Sequence, residues 1–202
     1  MTLKKNPSVI HLCALLSFFI LLQCGGGNPT TPTIRDPKEL VDEGWAAFES
    51  GNFQRAAVKF DSAKTLDSIF AEAYNGAGWA HGRLTEFEQA SEDFKVAVGL
   101  KESLIEAHAG ASFAYHAANR FEQSISEALF TLEAEPHFIF SHDTTVDSMD
   151  IRVTLALSYF SIADFANAAE QMDIVDPFNR PHSTNPDELI REIMRFFQQI
   201  NL

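Results

Sequence analysis

The sequence predicts an all-α fold, a superhelix of about four helix–turn–helix repeats followed by a C-terminal capping helix. Three observations lead to this fold class. A phenylalanine-centred motif recurs at a spacing of 34 residues, small residues recur in phase with it, and the C-terminal residues carry one amphipathic helical pattern. The 202-residue chain is 46% apolar and 21% charged, which is the balance of a chain that folds around a core.

The repeating motif is centred on Phe53, Phe87 and Phe121, and a fourth copy at Phe165 follows after 44 residues. The longer interval implies an insertion of ten residues, 139–148. Small residues let two helix backbones approach closely. They recur in phase with the motif at Gly44, Gly78, Ser112 and Ala156 in the first helix of each pair, and at Ala56, Ala90, Ser124 and Ala168 in the second. Such units bury their apolar faces only against stacked neighbours, so at least about three are needed.

This period and these marker positions resemble the tetratricopeptide repeat (TPR), a unit of two antiparallel helices. The resemblance implies a repeat region at 37–181, divided into 37–70, 71–104, 105–138 and 149–181. Residues 139–148 separate the third repeat from the fourth, and they are called the inserted segment below. Two interpretations of this segment stay open, because an insertion in a repeat array forms either a loop at a binding face or a tolerated surface loop.

Residues 182–202 are predicted to form the capping helix. Asn185 suits the N-cap and Pro186 the first helical position, and apolar residues then recur at three- to four-residue spacing from Leu189 to Ile200. A terminal repeat needs a helix that closes its exposed apolar face. The alternative is that this helix folds into the concave groove and blocks it.

The N-terminus has the pattern of a bacterial lipoprotein signal peptide at 1–23. Lys4 and Lys5 precede an apolar run of about fifteen residues, which is shorter than the roughly 20 that span a bilayer. Leu-Leu-Gln before Cys24 resembles a lipobox, which implies that Cys24 becomes the lipidated N-terminus and that the chain is lipid-anchored in the cell envelope, at the outer membrane. Residues 24–36, rich in Gly, Pro and Thr, form a flexible tether. The alternatives are an ordinary signal peptide or an uncleaved anchor.

In TPR proteins the first helix of each pair lines the concave surface. The resemblance therefore implies a candidate groove of ten residues: Val41, Trp45, Phe48, Asn75, Trp79, Arg83, Phe113, His116, Leu157 and Phe160. One register of this groove, Trp45, Trp79, Phe113 and Leu157, is predicted to form an apolar ladder edged by the acids Glu72, Glu106 and Asp150. We expect a partner segment, in a protein or peptide, with apolar or aromatic anchors and some Lys or Arg. The alternative is that the aromatic residues pack against neighbouring helices.

Several function classes are disfavoured by composition and motifs. A formal net charge of −13 argues against nucleic-acid binding, which depends on Lys and Arg. No nucleophile, phosphate-loop or cofactor motif occurs, and His81, His108, His116, His137 and His142 lack the spacing of metal ligands, so no catalytic, cofactor or metal site is expected. The favoured function is a non-catalytic, membrane-tethered protein-interaction module. The alternatives are an assembly factor for outer-membrane proteins or for a pilus or secretion secretin and, third, an enzyme or metal-binding protein.

Overall fold

The computed structural model describes residues 35–198, and this part of the chain is built of nine α-helices. They are α1 (Pro37–Glu49), α2 (Phe53–Leu66), α3 (Ala71–Arg83), α4 (Phe87–Leu100), α5 (Ile105–Ala117), α6 (Phe121–Ala134), α7 (Ser148–Ser161), α8 (Phe165–Val175) and α9 (Pro186–Phe197). The prediction of an all-α superhelix is confirmed. The predicted signal peptide, Cys24 and nearly all of the predicted tether lie outside the described residues. None of the described helices is long and apolar enough to cross a membrane.

The first eight helices form four antiparallel pairs that stack in chain order. At each of the first two contacts between neighbouring pairs, the space is filled by a phenylalanine ring from the second helix of the preceding pair. The Phe60 ring lies between Gly44 and Gly76, where an added Cβ would come within 2.6 and 2.2 Å of it. Phe94 lies in the same way between Gly78 and Gly110. The glycines are therefore required because only a residue without Cβ leaves room for the ring.

At the third contact between pairs Ala128 takes the place of the phenylalanine, and buried serines form hydrogen bonds there beside apolar side chains. The Ser124 hydroxyl donates to the Ser112 carbonyl oxygen at 2.8 Å and lies 2.9 Å from the Ser158 hydroxyl. All three serines are fully buried. Hydrogen bonding satisfies these buried hydroxyls, so the stack continues where the sequence motif is degenerate.

The turn inside each helix pair contains one residue in the left-handed region. These residues are Gly51, Thr85, Asn119 and Ala163, with φ between 58° and 78°. Their spacing repeats the 34, 34 and 44 residues of the sequence motif. Glycine and asparagine adopt this conformation readily, whereas the β-branched Thr85 is strained in it. The side chains of Asn52 and Asp164 then accept from main-chain N–H groups and cap the second helix.

Helix α9 closes the C-terminal end of the array. Asn185 accepts from the N–H groups of Asp187 and Glu188, as its predicted N-cap role requires. Leu189 and Ile193 are fully buried against α7 and α8. The helix contacts α7, a groove-lining helix, more extensively than α8. It therefore caps the array and also lies along one border of the concave surface.

Candidate functional site

The predicted groove lies on α1, α3, α5 and α7, the first helices of the four pairs, which contact one another in this order. Trp45, Trp79 and Leu157 of the predicted ladder are at most 9% exposed, whereas Phe113 is half-buried. Of the other predicted groove residues, Val41, Phe48 and Asn75 are buried, and Arg83, His116 and Phe160 are half-buried. Phe160 lies apart from the tryptophans, in the apolar cluster around α8 and α9. The structure thus separates the predicted residues into an aromatic part around Trp45, Phe48 and Trp79, an open part around Phe113 and His116, and a third part with Leu157 and Phe160 in the second apolar cluster.

The inserted segment covers the aromatic part of the groove. Phe140 is fully buried, and its ring stacks on Trp79 with centroids 3.9 Å apart and planes inclined by 15°. It also contacts the rings of Trp45 and Phe48 edge-on, at 6.0 and 5.9 Å. Phe140 therefore occupies the position that the sequence assigned to an aromatic anchor of a partner. The interpretation of residues 139–148 as a tolerated surface loop is wrong.

His142 makes the second ring contact of the inserted segment. Its imidazole lies parallel to the Trp45 indole, at 3.7 Å between centroids and an interplanar angle of 2°. Its Nδ1 is 2.8 Å from Oε1 of Glu49. A stacked ring fixed by a carboxylate is a specific contact, since both the position and the orientation of the imidazole are set.

Polar contacts fix the remainder of the inserted segment. The Ser141 hydroxyl donates to Glu106 at 2.6 Å, and Arg83 donates to Asp143 at 3.3 Å. The Arg83 guanidinium also lies over the Phe53 ring, 4.9 Å from its centroid. The segment thus contacts residues of the first three repeats.

The acids that were predicted to edge the groove are engaged within the chain. Glu72 accepts from Lys101 at 2.6 Å, and Glu106 accepts from Ser141. Asp150 accepts from the Asp147 N–H at 2.9 Å, which completes a capping box at the start of α7. Burial raises the pKa of Asp150 above its usual range. These three carboxylates therefore supply less free negative charge to the groove than the sequence pattern indicates.

An open cavity remains on the concave surface between the tryptophan-lined part and α9. Its volume is about 200 Å³, and its walls are mainly apolar. Phe113, His116 and Gly82 line it from the first helices, and Phe197 borders it from α9. The Trp79 ring, on which the Phe140 ring stacks, also lines this cavity. Burial lowers the pKa of His116, whose Nδ1 is 2.9 Å from the Ser158 hydroxyl, so its imidazole is neutral at neutral pH.

Sequence reasoning missed Phe140, His142 and Phe197 as residues of this site. A signal for the first two is present, because Phe138, Phe140 and His142 alternate with Ile139 and Ser141. Alternation with a period of two is typical of an extended segment with one buried side. Phe197 carried no comparable signal, since its helical pattern is equally consistent with capping the array.

Five of the described histidines each form a hydrogen bond with one other side chain. Within residues 35–198 no group of three or more His, Cys, Asp or Glu side chains is arranged to hold a metal ion. The histidines with polar contacts are His81 with Asp93, His108 with Glu127, His116 with Ser158, His142 with Glu49 and His182 with Asp173. Such pairs orient side chains and join helices.

His108 gives a testable pH dependence. Burial lowers its pKa, but the Glu127 carboxylate and the Glu102 carbonyl oxygen outweigh burial, so the net pKa is raised. A histidine whose pKa is raised on folding stabilises the fold fully below its unfolded pKa of about 6.5, and the contribution disappears as pH rises through the folded pKa. We expect His108→Gln to be more destabilising at pH 5.5 than at pH 9 by about 1 kcal/mol. Urea unfolding of both proteins at both pH values measures this, and equal losses would contradict the charged pair.

Comparisons with known proteins agree with the fold. The chain is similar to the solved structure of MamA (41-end) from Desulfovibrio magneticus RS-1, at 20% identity, 72% of this chain, 76% of that chain and a TM-score of 0.59. It is also similar to the first TPR of Spaghetti (RPAP3), solved with an HSP90 peptide, at 20% identity, covering 63% of this chain and 94% of that one, with a TM-score of 0.54.

A third similar structure is a mutant of the O-GlcNAc transferase from Thermobaculum terrenum. The identity is 16% and the TM-score 0.57, over 70% of this chain and 26% of that one. No family model matches the sequence, and no curated protein matches it. At these identities the structures establish a TPR-type fold and nothing about function.

Proposed function

We propose that the chain is a non-catalytic protein-interaction module that binds a partner segment in the open cavity of its concave surface. The observation that carries this proposal is the apolar cavity of about 200 Å³ lined by Phe113, His116 and Gly82. Mainly apolar walls with a few polar groups are typical of ligand sites, and a volume of about 200 Å³ suits a single side chain of a partner. The similar structure of the first TPR of Spaghetti (RPAP3) was solved with a bound HSP90 peptide. This supports a peptide segment as the ligand proposed for the present chain.

The cavity favours an apolar or aromatic anchor on the partner. Its volume is about that of one large side chain, and its walls are mainly apolar. Burying such a side chain contributes about 1.5–3 kcal/mol to binding. Basic residues beside the anchor would be attracted by the net charge of −13, although Glu72 and Glu106 are already paired.

Gly82 offers a direct test of this site. A Cβ added at Gly82 meets no atom within 4 Å, and Gly82 lines the cavity, so we expect a leucine side chain at this position to fill part of it. Gly99 on α4 has the same free space but lies outside the cavity, which makes Gly99→Leu the matched control. A photo-crosslinking phenylalanine at position 113 then reports on partners in intact cells.

We expect the residue at position 113 to crosslink to a partner protein, and Gly82→Leu to reduce the yield at least tenfold, about 1.4 kcal/mol of binding. Gly99→Leu leaves the yield unchanged. Crosslinks that persist in Gly82→Leu, or that form only from the exposed convex position 58, would show that the cavity is not the binding site.

We propose further that the module is tethered to the membrane of a bacterial envelope through acyl chains on Cys24. The support is the sequence pattern alone: the basic start, the short apolar run and Leu-Leu-Gln-Cys24. We expect native protein in the membrane fraction, with a mass equal to the chain from Cys24 plus acyl groups. Cys24→Ser shifts the protein to the soluble fraction. Intact-mass spectrometry and fractionation measure both, and an unmodified soluble native chain would contradict the tether.

A further inference from the structure

We propose that the inserted segment is an internal ligand of the tryptophan-lined part of the groove, which a partner must displace in order to bind there. The proposal rests on the proposed function and adds a second subsite with its own regulation. The chemistry of the displacing partner follows from the segment itself. It is a turn-forming segment with an aromatic residue, a second planar side chain two positions later, and an acid directly after that.

The length of the inserted segment is the first argument. The helix pairs are otherwise joined by four residues, 67–70 between α2 and α3 and 101–104 between α4 and α5. Between α6 and α7 there are thirteen residues, 135–147. The equivalent turns show that four residues are enough for this connection. The additional residues therefore serve the groove rather than the connection.

The main-chain hydrogen bonds are the second argument. Phe140 N–H donates to the Val146 carbonyl oxygen at 2.9 Å, and Ser148 N–H donates to the Phe138 carbonyl oxygen at 2.9 Å. Ile139 and Asp147 form an antiparallel bridge. The segment therefore closes on itself, and it contacts the groove mainly through side chains. It can lift from the groove without breaking a hydrogen bond inside any helix.

The alternation of buried and exposed side chains is the third argument. Phe140 is fully buried and His142 half-buried on the groove, whereas Ile139 is 58% exposed and Ser141 is exposed. Residues 140–143 form a turn closed by the Asp143 N–H, which donates to the Phe140 carbonyl oxygen at 3.3 Å, and this turn presents the Phe140 and His142 side chains to the groove. Phe140 fits the Trp79 face and His142 the Trp45 face.

Charge complementarity at the two edges defines the remaining chemistry. Glu49 accepts or shares a hydrogen bond with His142 at 2.8 Å, so a partner with His or Arg at this position retains a polar contact to Glu49. Arg83 faces Asp143, so an acid at the next position is favoured. The recognised sequence is therefore an aromatic residue, any residue, His or Arg, and then Asp or Glu.

An internal ligand lowers the apparent affinity of any competitor. A short tether gives the bound segment an effective concentration of about millimolar. A competing peptide binds only the molecules in which the inserted segment has left the groove. Its apparent Kd is therefore the intrinsic Kd divided by the fraction of such molecules. We expect at least a tenfold difference in Kd between a chain with the segment in place and a chain without it.

The experiment uses the chain with residues 139–146 replaced by Gly and Ser, which retains the N-cap Asp147. A synthetic peptide of residues 137–148 is titrated against this variant and against the unaltered protein. Trp45 and Trp79 are the two tryptophans of the chain, so tryptophan emission reports on this subsite specifically. A peptide with alanine at positions 140 and 142 is the control ligand.

The proposal expects the peptide to bind the replaced variant at least tenfold more tightly than the unaltered protein, with an emission change that the control peptide does not produce. The full-length Phe140→Ala/His142→Ala chain is a second acceptor, in case the replaced variant loses its helical circular dichroism. No binding by a folded acceptor would overturn the proposal. Unfolding of both acceptors would also overturn it, because the segment would then be part of the core. Neither result affects the crosslinking test at position 113.

Discussion

Replacing Phe140 with alanine is expected to lower the free energy of unfolding by about 3–5 kcal/mol, the usual cost of deleting a fully buried phenylalanine side chain. The Phe140 ring is 0% exposed and contacts Trp79, Trp45 and Phe48. Its removal takes away apolar contact area and leaves a void beneath the inserted segment. The expected loss of stability is large because the Phe140 ring contacts residues of both α1 and α3.

Chemical unfolding, followed by far-ultraviolet circular dichroism, measures this loss. Ile139→Ala is the matched control, because Ile139 belongs to the same segment but is 58% exposed. Its substitution should change stability by no more than about 0.5 kcal/mol. A cost below about 1 kcal/mol for Phe140→Ala would mean that the segment does not pack on the tryptophans in solution.

The second large effect is expected at Gly76, where alanine should cost about 2–3 kcal/mol. A Cβ at this position would lie 2.2 Å from the Phe60 ring, far inside van der Waals contact. The ring has no room to move away, because Gly44 contacts its other side. Overpacking typically costs about 1–3 kcal/mol and occasionally more, and so short a contact belongs above the middle of that range, at about 3–4 kcal/mol. About 2–3 kcal/mol then remains after the gain of about 1 kcal/mol in helix propensity.

Gly82→Ala is the control for Gly76→Ala, since both glycines lie on α3. Nothing lies within 4 Å of an added Cβ at Gly82. We therefore expect Gly82→Ala to stabilise the protein by about 0.5–1 kcal/mol, through helix propensity and a less flexible unfolded chain. Thermal and urea unfolding of the two variants should show shifts of opposite sign. Stabilisation in both would contradict the contact between Phe60 and Gly76.

The covered groove changes how the aromatic ladder is interpreted. From the sequence, Trp45 and Trp79 were either partner-binding residues or core residues. In the structure they pack against neighbouring helices, Trp45 on Phe60 and Trp79 on Phe94, and they are also covered by the inserted segment. Their burial is therefore compatible with a binding role, which stays a prediction. The open cavity and the covered subsite can be tested separately, by Gly82→Leu and by replacement of the inserted segment.

The sequence alone determined the repeat architecture. The 34-residue spacing, the recurring small residues and the cap at Asn185 all describe contacts within a helix pair or between adjacent pairs. Such contacts join residues that are close along the chain, so they leave a regular pattern that a single sequence reveals. The left-handed turn at Gly51, Thr85, Asn119 and Ala163 follows the same spacing.

Only the tertiary structure decided what occupies the groove. The contact between Glu49 and His142 joins residues 93 positions apart, and the contact between Arg83 and Asp143 spans 60. A segment inserted once in the chain has no repeat to reveal its place, and its alternating pattern indicates a buried side without indicating the surface that buries it. The helices fold by repetition of local contacts, whereas the inserted segment finds its place by complementarity to a surface that exists only after the helices have stacked.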